Sequence, residues 1–216
     1  MLTIEGLEVS IQTVQLVRGV DLRLDEGSTA GVIGRNGAGK TTLMRSIMGL
    51  LPIHAGSIRF RGQPIHALPA HHRAALGIGY MPEDRRLVPQ LTVEENILVP
   101  AWAMRSRDRD ERLRRIYRMI PETREFAARK ASQLSGGQQK LVAIARALMA
   151  GSQLLLLDEP FEGVAPALSR RIAEVIADLR QEGFSILLSG SDLQHTAGLL
   201  EQVFHIERGE IRPAES

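Results

Sequence analysis

Near the start of the chain, apolar and polar positions alternate in short runs. Leu2 to Val9 and Val20 to Leu24 read as strands. In the second, Val20, Leu22 and Leu24 alternate with Asp21, Arg23 and Asp25, the period of a half-buried antiparallel strand. Asp25-Glu26-Gly27 turns the chain into Thr29–Ile33, a short and mostly apolar strand. Ser57 to Arg61 alternates again about Ile58 and Phe60, between Gly56 and Gly62 as turn residues. In between, the period changes: Thr42 to Met48 reads as a helix closed by Gly49. The pattern predicts a small β-layer feeding into an α/β core.

Further on, Pro69–Ala75 suits a short helix and Ile78–Met81 a buried strand ended by Pro82. Thr92 opens another helix as its N-cap, with Glu95 three residues on completing a capping box. Lys140 to Ala150 places Leu141, Ile144, Ala145 and Leu148 at helical spacing. A leucine-rich strand, Gln153–Leu157, runs into Asp158-Glu159-Pro160. Pro166 to Gln181 is a helix with Ile172, Val175, Ile176 and Leu179 on one face, stopped by Gly183. Ser185–Ser189 is a buried strand, and Gln202–Ile206 and Glu210–Arg212 close the sheet. There is no internal repeat and no low-complexity linker, so one domain is expected.

The chain has 216 residues, 44% of them hydrophobic, which suits a globular domain with a full core. It has no cysteine, which excludes disulfides, thiolate metal sites and cysteine nucleophiles and fits a reducing compartment. The net charge of +2 creates no global field that calls for nucleic acid. No segment approaches the ~20 apolar residues that would cross a bilayer. The start, Met1-Leu2-Thr3-Ile4-Glu5, lacks a basic n-region, so it does not read as a secretory signal, and the expected placement is cytoplasmic.

Candidate chemistry lies in three places. Gly34-Arg35-Asn36-Gly37-Ala38-Gly39-Lys40-Thr41-Thr42 fits G-x-x-x-x-G-K-[ST] at every fixed position, between a strand and a helix. Its glycines let successive backbone N–H groups point at one anion, and the helix N-terminus adds partial positive charge. Lys40 can reach the β- and γ-phosphates of a nucleotide, and the Thr41 hydroxyl can ligate Mg²⁺. Asp158 ends a buried strand, the edge where ligands bind in open α/β sheets, and can hold Mg²⁺ directly or through water. Glu159 beside it either polarises a water for attack on the γ-phosphorus or caps the next turn. Ser135-Gly136-Gly137 at a helix start offers hydroxyl and N–H donors to a second anion, or is an ordinary turn. Between these, Arg105 to Arg118 carries seven arginines against three acids, either a solvated helical face or a contact for anionic lipid headgroups or an acidic partner.

Gly34–Thr42, Leu134–Gln139 and Leu154–Pro160, in this order, resemble the Walker A, signature and Walker B motifs of ABC-transporter ATPases. The resemblance covers nearly the whole chain. Within that family, the stretches Tyr80–Asn96 and Asp158–Pro166 are most similar to the ATPases of branched-chain (hydrophobic) amino-acid importers and their urea or amide relatives. The resemblance implies a P-loop NTPase fold: a RecA-like core with an antiparallel β-subdomain (1–82 and 146–216) and an inserted helical subdomain (83–145) carrying the signature motif. It implies ATP with Mg²⁺, sandwiched between two such chains in a homodimer or in a heterodimer with a second ABC ATPase. Closure of that sandwich would drive membrane permease subunits, served indirectly by a substrate-binding protein. The chain would sit peripherally on the cytoplasmic face of the inner (plasma) membrane. Residues 34–42 would bind one nucleotide, while Ser135, Gly136 and Gly137 would meet the γ-phosphate held by the other chain. Asp158 and Thr41 would hold the metal, and Glu159 would act on water.

Four positions depart from the family pattern. The adenine-stacking aromatic falls near Ile11, which can pack on a base but offers no π-face. The loop glutamine falls on Glu83, which can still approach Mg²⁺ or the attacking water and fits the amino-acid-importer branch. The aspartate after Walker B is Ala165. The γ-phosphate histidine falls on Ser191, a donor without a cationic form; His195, a turn away, reads as surface or helix packing. One lost donor to a transferring phosphoryl group typically costs ~3–4 kcal/mol in the transition state. The chain is thus expected to bind nucleotide fully and to hydrolyse it either as a working ATPase or weakly, as the partner of a more active homologue. The resemblance also puts a permease groove near Glu83–Trp102, where Leu87, Val88, Leu98 and Trp102 are either its lining or the core of the helical subdomain.

Overall fold

A computed structural model describes residues 1–192, 194, 196 and 198–213. Strands β1 (Leu2–Ile11) and β2 (Val14–Leu24) form a hairpin longer than the alternation alone predicts. Leu2, Ile4, Leu7 and Val9 of β1 and Val17, Val20, Leu22 and Leu24 of β2 are all buried, so one face of the hairpin is core. Register shifts along the pairing break the strict period without breaking the ladder. Gly56, expected to turn the chain, instead lies inside β4 (Ala55–Phe60) at φ +85°. A Cβ there would stand 2.3 Å from the Gly6 carbonyl oxygen, where the β1–β4 register shifts. That close backbone approach is what requires glycine. With β5 (Gln63–Pro64) the sheet runs β2-β1-β4-β5, antiparallel throughout.

The second sheet holds β3 (Thr29–Ile33), β6 (Ile78–Met81), β7 (Leu154–Leu157), β8 (Ser185–Gly190), β9 (Gln202–Glu207) and β10 (Glu210–Pro213). Its order is β10-β9-β3-β8-β7-β6, parallel except for the edge strand β10. Every residue of β3 and β7 is buried, which explains apolar runs in place of alternation. Leu154 and Leu156 face the β1–β2–β4 layer and helix α1 (Lys40–Ile47). Leu155 and Leu157 face helices α3 (Val93–Met104), α6 (Gly136–Ala150) and α7 (Pro166–Gln181).

Among the described residues, the remaining α-helices are α2 (Ala70–Ala75), α4 (Arg109–Met119) and α5 (Glu122–Glu125). Arg73 of α2 is 2% exposed and binds the C-terminal end of α1. Its guanidinium donates to the carbonyls of Ser46 and Ile47, each at 2.8 Å, and to those of Leu68 and His66. The Ser46 and Ile47 carbonyls lack partners within α1, Ser46 accepting besides from the Gly49 N–H at 3.0 Å, and the cation complements the helix dipole.

The capping box of α3 is present: Thr92 Oγ1 accepts from the Glu95 N–H at 3.2 Å, and Glu95 Oε2 from the Thr92 N–H at 2.7 Å. The arginine-rich stretch is not one helix. Arg105 takes a left-handed conformation (φ +51°) that ends α3, and α4 begins at Arg109. Ile116 and Met119 anchor α4 while Arg105, Arg107, Arg109, Arg114 and Arg118 face solvent. Of the four candidates for a groove lining, Leu87 and Leu98 pack on the helical core. Val88 and Trp102 stand exposed, at 41% and 45%.

Candidate active site

The parallel strands β3, β7 and β8 end side by side, and the loops that leave them converge. After Ile33 the chain approaches β9 so closely that a Cβ on Gly34 would lie 2.2 Å from the Ile206 carbonyl oxygen. It then wraps through Gly37 (φ +81°) and Gly39 (φ +111°) into α1. A Cβ on Gly39 would meet the Leu16 carbonyl at 2.7 Å. These glycines keep the loop tight, so that the loop and the α1 N-terminus line one cavity of about 320 Å³. Asn36, Gly37 and Gly39 to Thr42 form one wall, and Glu83, Glu159 and Glu162 the other. Arg35 is exposed and contributes its carbonyl to Lys40, while Ala38 is buried and accepts from the Gly209 N–H at 2.9 Å.

Lys40 is 5% exposed. Its amino group donates to the carbonyls of Gly34 (2.5 Å) and Arg35 (3.2 Å) and pairs with Glu159 Oε1 at 2.9 Å. Thr41 Oγ1 lies 3.2 Å from Asp158 Oδ1 and 3.4 Å from Glu83 Oε2. Asp158 has no exposed surface, and three hydroxyls surround it. Besides Thr41, Ser189 Oγ donates to Oδ1 at 2.7 Å and Tyr80 Oη to Oδ2 at 3.2 Å. Burial pushes the Asp158 carboxyl up, and those hydroxyls with Lys40 oppose the shift. Burial likewise raises Glu159, against the pull of Lys40. The Tyr80 phenol is raised too, by burial and then by the charge of Asp158. Glu159 adopts φ +50°, a region non-glycine residues seldom enter. Its N–H donates to Ser189 Oγ at 3.0 Å.

A second cavity, of about 210 Å³, adjoins Glu159 and includes Ser191, Asp192 and Glu162 in its lining. Ser191 is exposed there; His195 lies outside the described residues. Ala165 precedes α7 and gives it no side-chain cap. Ile11 ends β1 at the hairpin tip, 39% exposed, and is not among the residues around the phosphate loop. Leu16 of β2 lines the cavity at that loop. Ser135 caps α6 through a box with Gln138 and lines neither cavity. Gly136 accepts at its carbonyl from Arg85 at 3.0 Å. Gly137 makes room for Leu168, whose Cδ2 would stand 2.5 Å from an added Cβ.

Three residues with a part in this geometry escaped the sequence reading: Leu16, Tyr80 and Ser189. The latter two left a signal, a polar group toward the C-terminal end of a largely apolar strand, next to the edge where ligands bind in open α/β sheets.

A family model described as ABC transporter matches residues 17–162. The chain belongs to that family and is its ATP-binding, ATP-hydrolysing cassette. Among curated relatives, it is 33% identical over 98% of its length to the high-affinity branched-chain amino acid transport ATP-binding protein BraG of Pseudomonas aeruginosa, of which it covers 91%. It is 34% identical, over 98% of its length, to the lipopolysaccharide export system ATP-binding protein LptB of Haemophilus influenzae, of which it covers 88%. A crystal structure of a nucleotide-free ATP-binding cassette from an ABC transporter superposes with a TM-score of 0.87 at 25% identity, covering 100% of this chain and 91% of the other.

Proposed function

We propose that this chain is the ATPase subunit of an importer and powers uptake of branched-chain or other hydrophobic amino acids through separate permease subunits. The observation that carries the ATPase half is the convergence of Lys40, Thr41 and Glu159 on one glycine-lined cavity, with Asp158 buried behind Thr41 at 3.2 Å. Likeness to BraG over nearly the full chain supports the cargo.

In this reading the N–H groups of residues 36–42 and the Lys40 amino group hold the phosphates of ATP. Thr41 Oγ1 and Asp158 Oδ1 offer only hard oxygen ligands, which fits Mg²⁺ completed by phosphate oxygens and water rather than a protein cage. Bound there, Mg²⁺ would neutralise charge on the β- and γ-phosphates. Glu83 stands on the same side as a further oxygen donor. Ser189 and Tyr80 hold Asp158 in place. Glu159 exchanges its pairing with Lys40 for a water and accepts the proton as that water attacks the γ-phosphorus; the bond to the β–γ bridging oxygen breaks, ADP leaves with that oxygen, and Ser191 donates to a γ-phosphate oxygen from the neighbouring cavity.

Ser135 and Gly136, both exposed and outside the chain's own cavity, complete the site of a second ABC ATPase in a head-to-tail dimer. The segment 83–145 acts as a helical subdomain, and Val88 and Trp102, large apolar side chains exposed along it, face the permease. Serine in place of histidine at 191 favours slow turnover in the chain alone and pairing with a more active homologue.

The likeness to LptB, at similar identity, favours a second reading, in which the same cycle extracts a lipid-like cargo. Binding and turnover of MgATP by the purified chain test the ATPase half. Lys40→Ala should weaken binding ~10²- to 10³-fold and Glu159→Gln should stop turnover; binding unchanged by Lys40→Ala overturns the site. Uptake of labelled leucine in cells with and without the gene tests the cargo. Undiminished uptake together with a defective outer envelope favours the second reading.

A further inference from the structure

Lys140 is 4% exposed and takes no part in the chemistry above. It stands on α6, one turn inside the start at Ser135–Gly137. Its amino group leaves the helix and donates to two main-chain carbonyls in the turn after β7, that of Glu159 at 2.8 Å and that of Glu162. This turn holds itself weakly: the Glu162 N–H reaches the Glu159 carbonyl only at 3.3 Å. Glu159 also sits in a left-handed conformation that its side chain disfavours. Such a conformation persists only where the surroundings over-determine it. Here Ser189 takes the Glu159 N–H, and Lys140 takes its carbonyl. The peptide on each side of Glu159 is therefore pinned, and the carboxylate is directed at Lys40.

An ammonium loses hydration on burial and is retained only where acceptors replace it. Around it stand Glu159 and Glu162 from the turn after β7, and Arg85 and Glu83 from the loop after β6. Burial, with Arg85 adding to it, lowers Lys140 to about 8 against the pull of the three glutamates.

We propose that Lys140 is a positioning residue for hydrolysis. It holds Glu159 in its left-handed conformation, and from the helix that begins at Ser135 it ties the aim of that carboxylate to whatever Ser135–Gly137 contact in a partner chain. This rests on the ATPase reading above.

The test compares full-length wild type, Lys140→Met and Lys140→Arg, each alone and with any ATPase subunit that copurifies. In Lys140→Met, affinity for MgATP should stay within about twofold while kcat falls about tenfold or more, equivalent to ~1.4 kcal/mol in the barrier. Lys140→Arg should recover most of kcat. The working form is the protonated amine, so wild-type kcat should fall as pH rises through about 8, and the Lys140→Arg profile should lack that limb. Amide exchange at Glu162 gives a readout independent of turnover: about tenfold faster in Lys140→Met, unchanged in Lys140→Arg.

Wild-type kcat and exchange in Lys140→Met overturn the inference, as do equal losses in both variants or parallel losses of affinity and kcat. If Lys140→Met does not fold, Lys140→Gln carries the same expectations. If neither folds while Lys140→Arg does, the role is structural and the inference fails. A wild-type chain that does not bind MgATP overturns the ATPase reading and this inference together. A wild type that turns over beside an equally active Lys140→Met overturns this one alone.

Discussion

Lys40 and Glu159 meet at 2.9 Å with each side chain only 5% exposed. Removing one member of such a buried pair strands the other charge and costs about 3–5 kcal/mol. Lys40→Ala should therefore destabilise the nucleotide-free protein by that amount, because Glu159 keeps a desolvated carboxylate. Glu159→Gln should cost less, about 1–2 kcal/mol, since Lys40 still donates to the Gly34 and Arg35 carbonyls. If the singles added, the double variant would lose roughly 4–7 kcal/mol. The structure predicts only about 2–3 kcal/mol for it, because the neutral amide that Glu159→Gln introduces needs no cation. Urea unfolding of the four proteins in nucleotide-free buffer, followed by circular dichroism, gives the cycle directly. The same Lys40→Ala variant should bind MgATP ~10²- to 10³-fold more weakly through loss of charge-assisted bonds. A double variant as unstable as the sum of the singles would refute the claim that this pair is what the buried carboxylate depends on.

Arg73→Met leaves the carbonyls of Ile47, His66 and Leu68 without their donor, while Ser46 keeps the Gly49 N–H, and should cost ~3–5 kcal/mol, read as a lower Tm. Val88→Asp or Trp102→Asp, at exposed positions, should leave stability within ~0.5 kcal/mol and ATP affinity unchanged while reducing copurification with permease. Loss of fold would place these side chains in the core instead. Ser191→His introduces a donor with a cationic form into the 210 Å³ cavity beside Glu159. It should raise kcat of the chain alone about tenfold or more, and an unchanged kcat would show that the serine is not what slows turnover.

Much of the site could be read without coordinates because its parts are local. The run from Gly34 to Thr42 is contiguous, and the conformations its glycines permit depend on their own backbones. The Thr92–Glu95 cap spans one helical turn, and the strand before Asp158 announces itself by four leucines. Ser189 and Tyr80 could not be assigned this way. They meet Asp158 only because β8 and β6 both lie beside β7, and a hydroxyl on a buried strand looks the same with or without such a partner. Leu16 reaches the cavity wall through the close approach of β2 to Gly39, a contact between residues far apart in the chain.

By itself, then, the order of residues determined the periodic elements, the tight glycine-rich loop between β3 and α1 and the carboxylates at the sheet edge. These follow from backbone geometry and from hydrophobic spacing over a few neighbouring positions. Only the tertiary structure decided the strand order, the hydroxyls around Asp158, the pairing of Lys40 with Glu159 and the reach of Lys140 into the turn that carries Glu159. Such contacts join residues far apart in the chain, and they form only after burial has removed water as the competing partner.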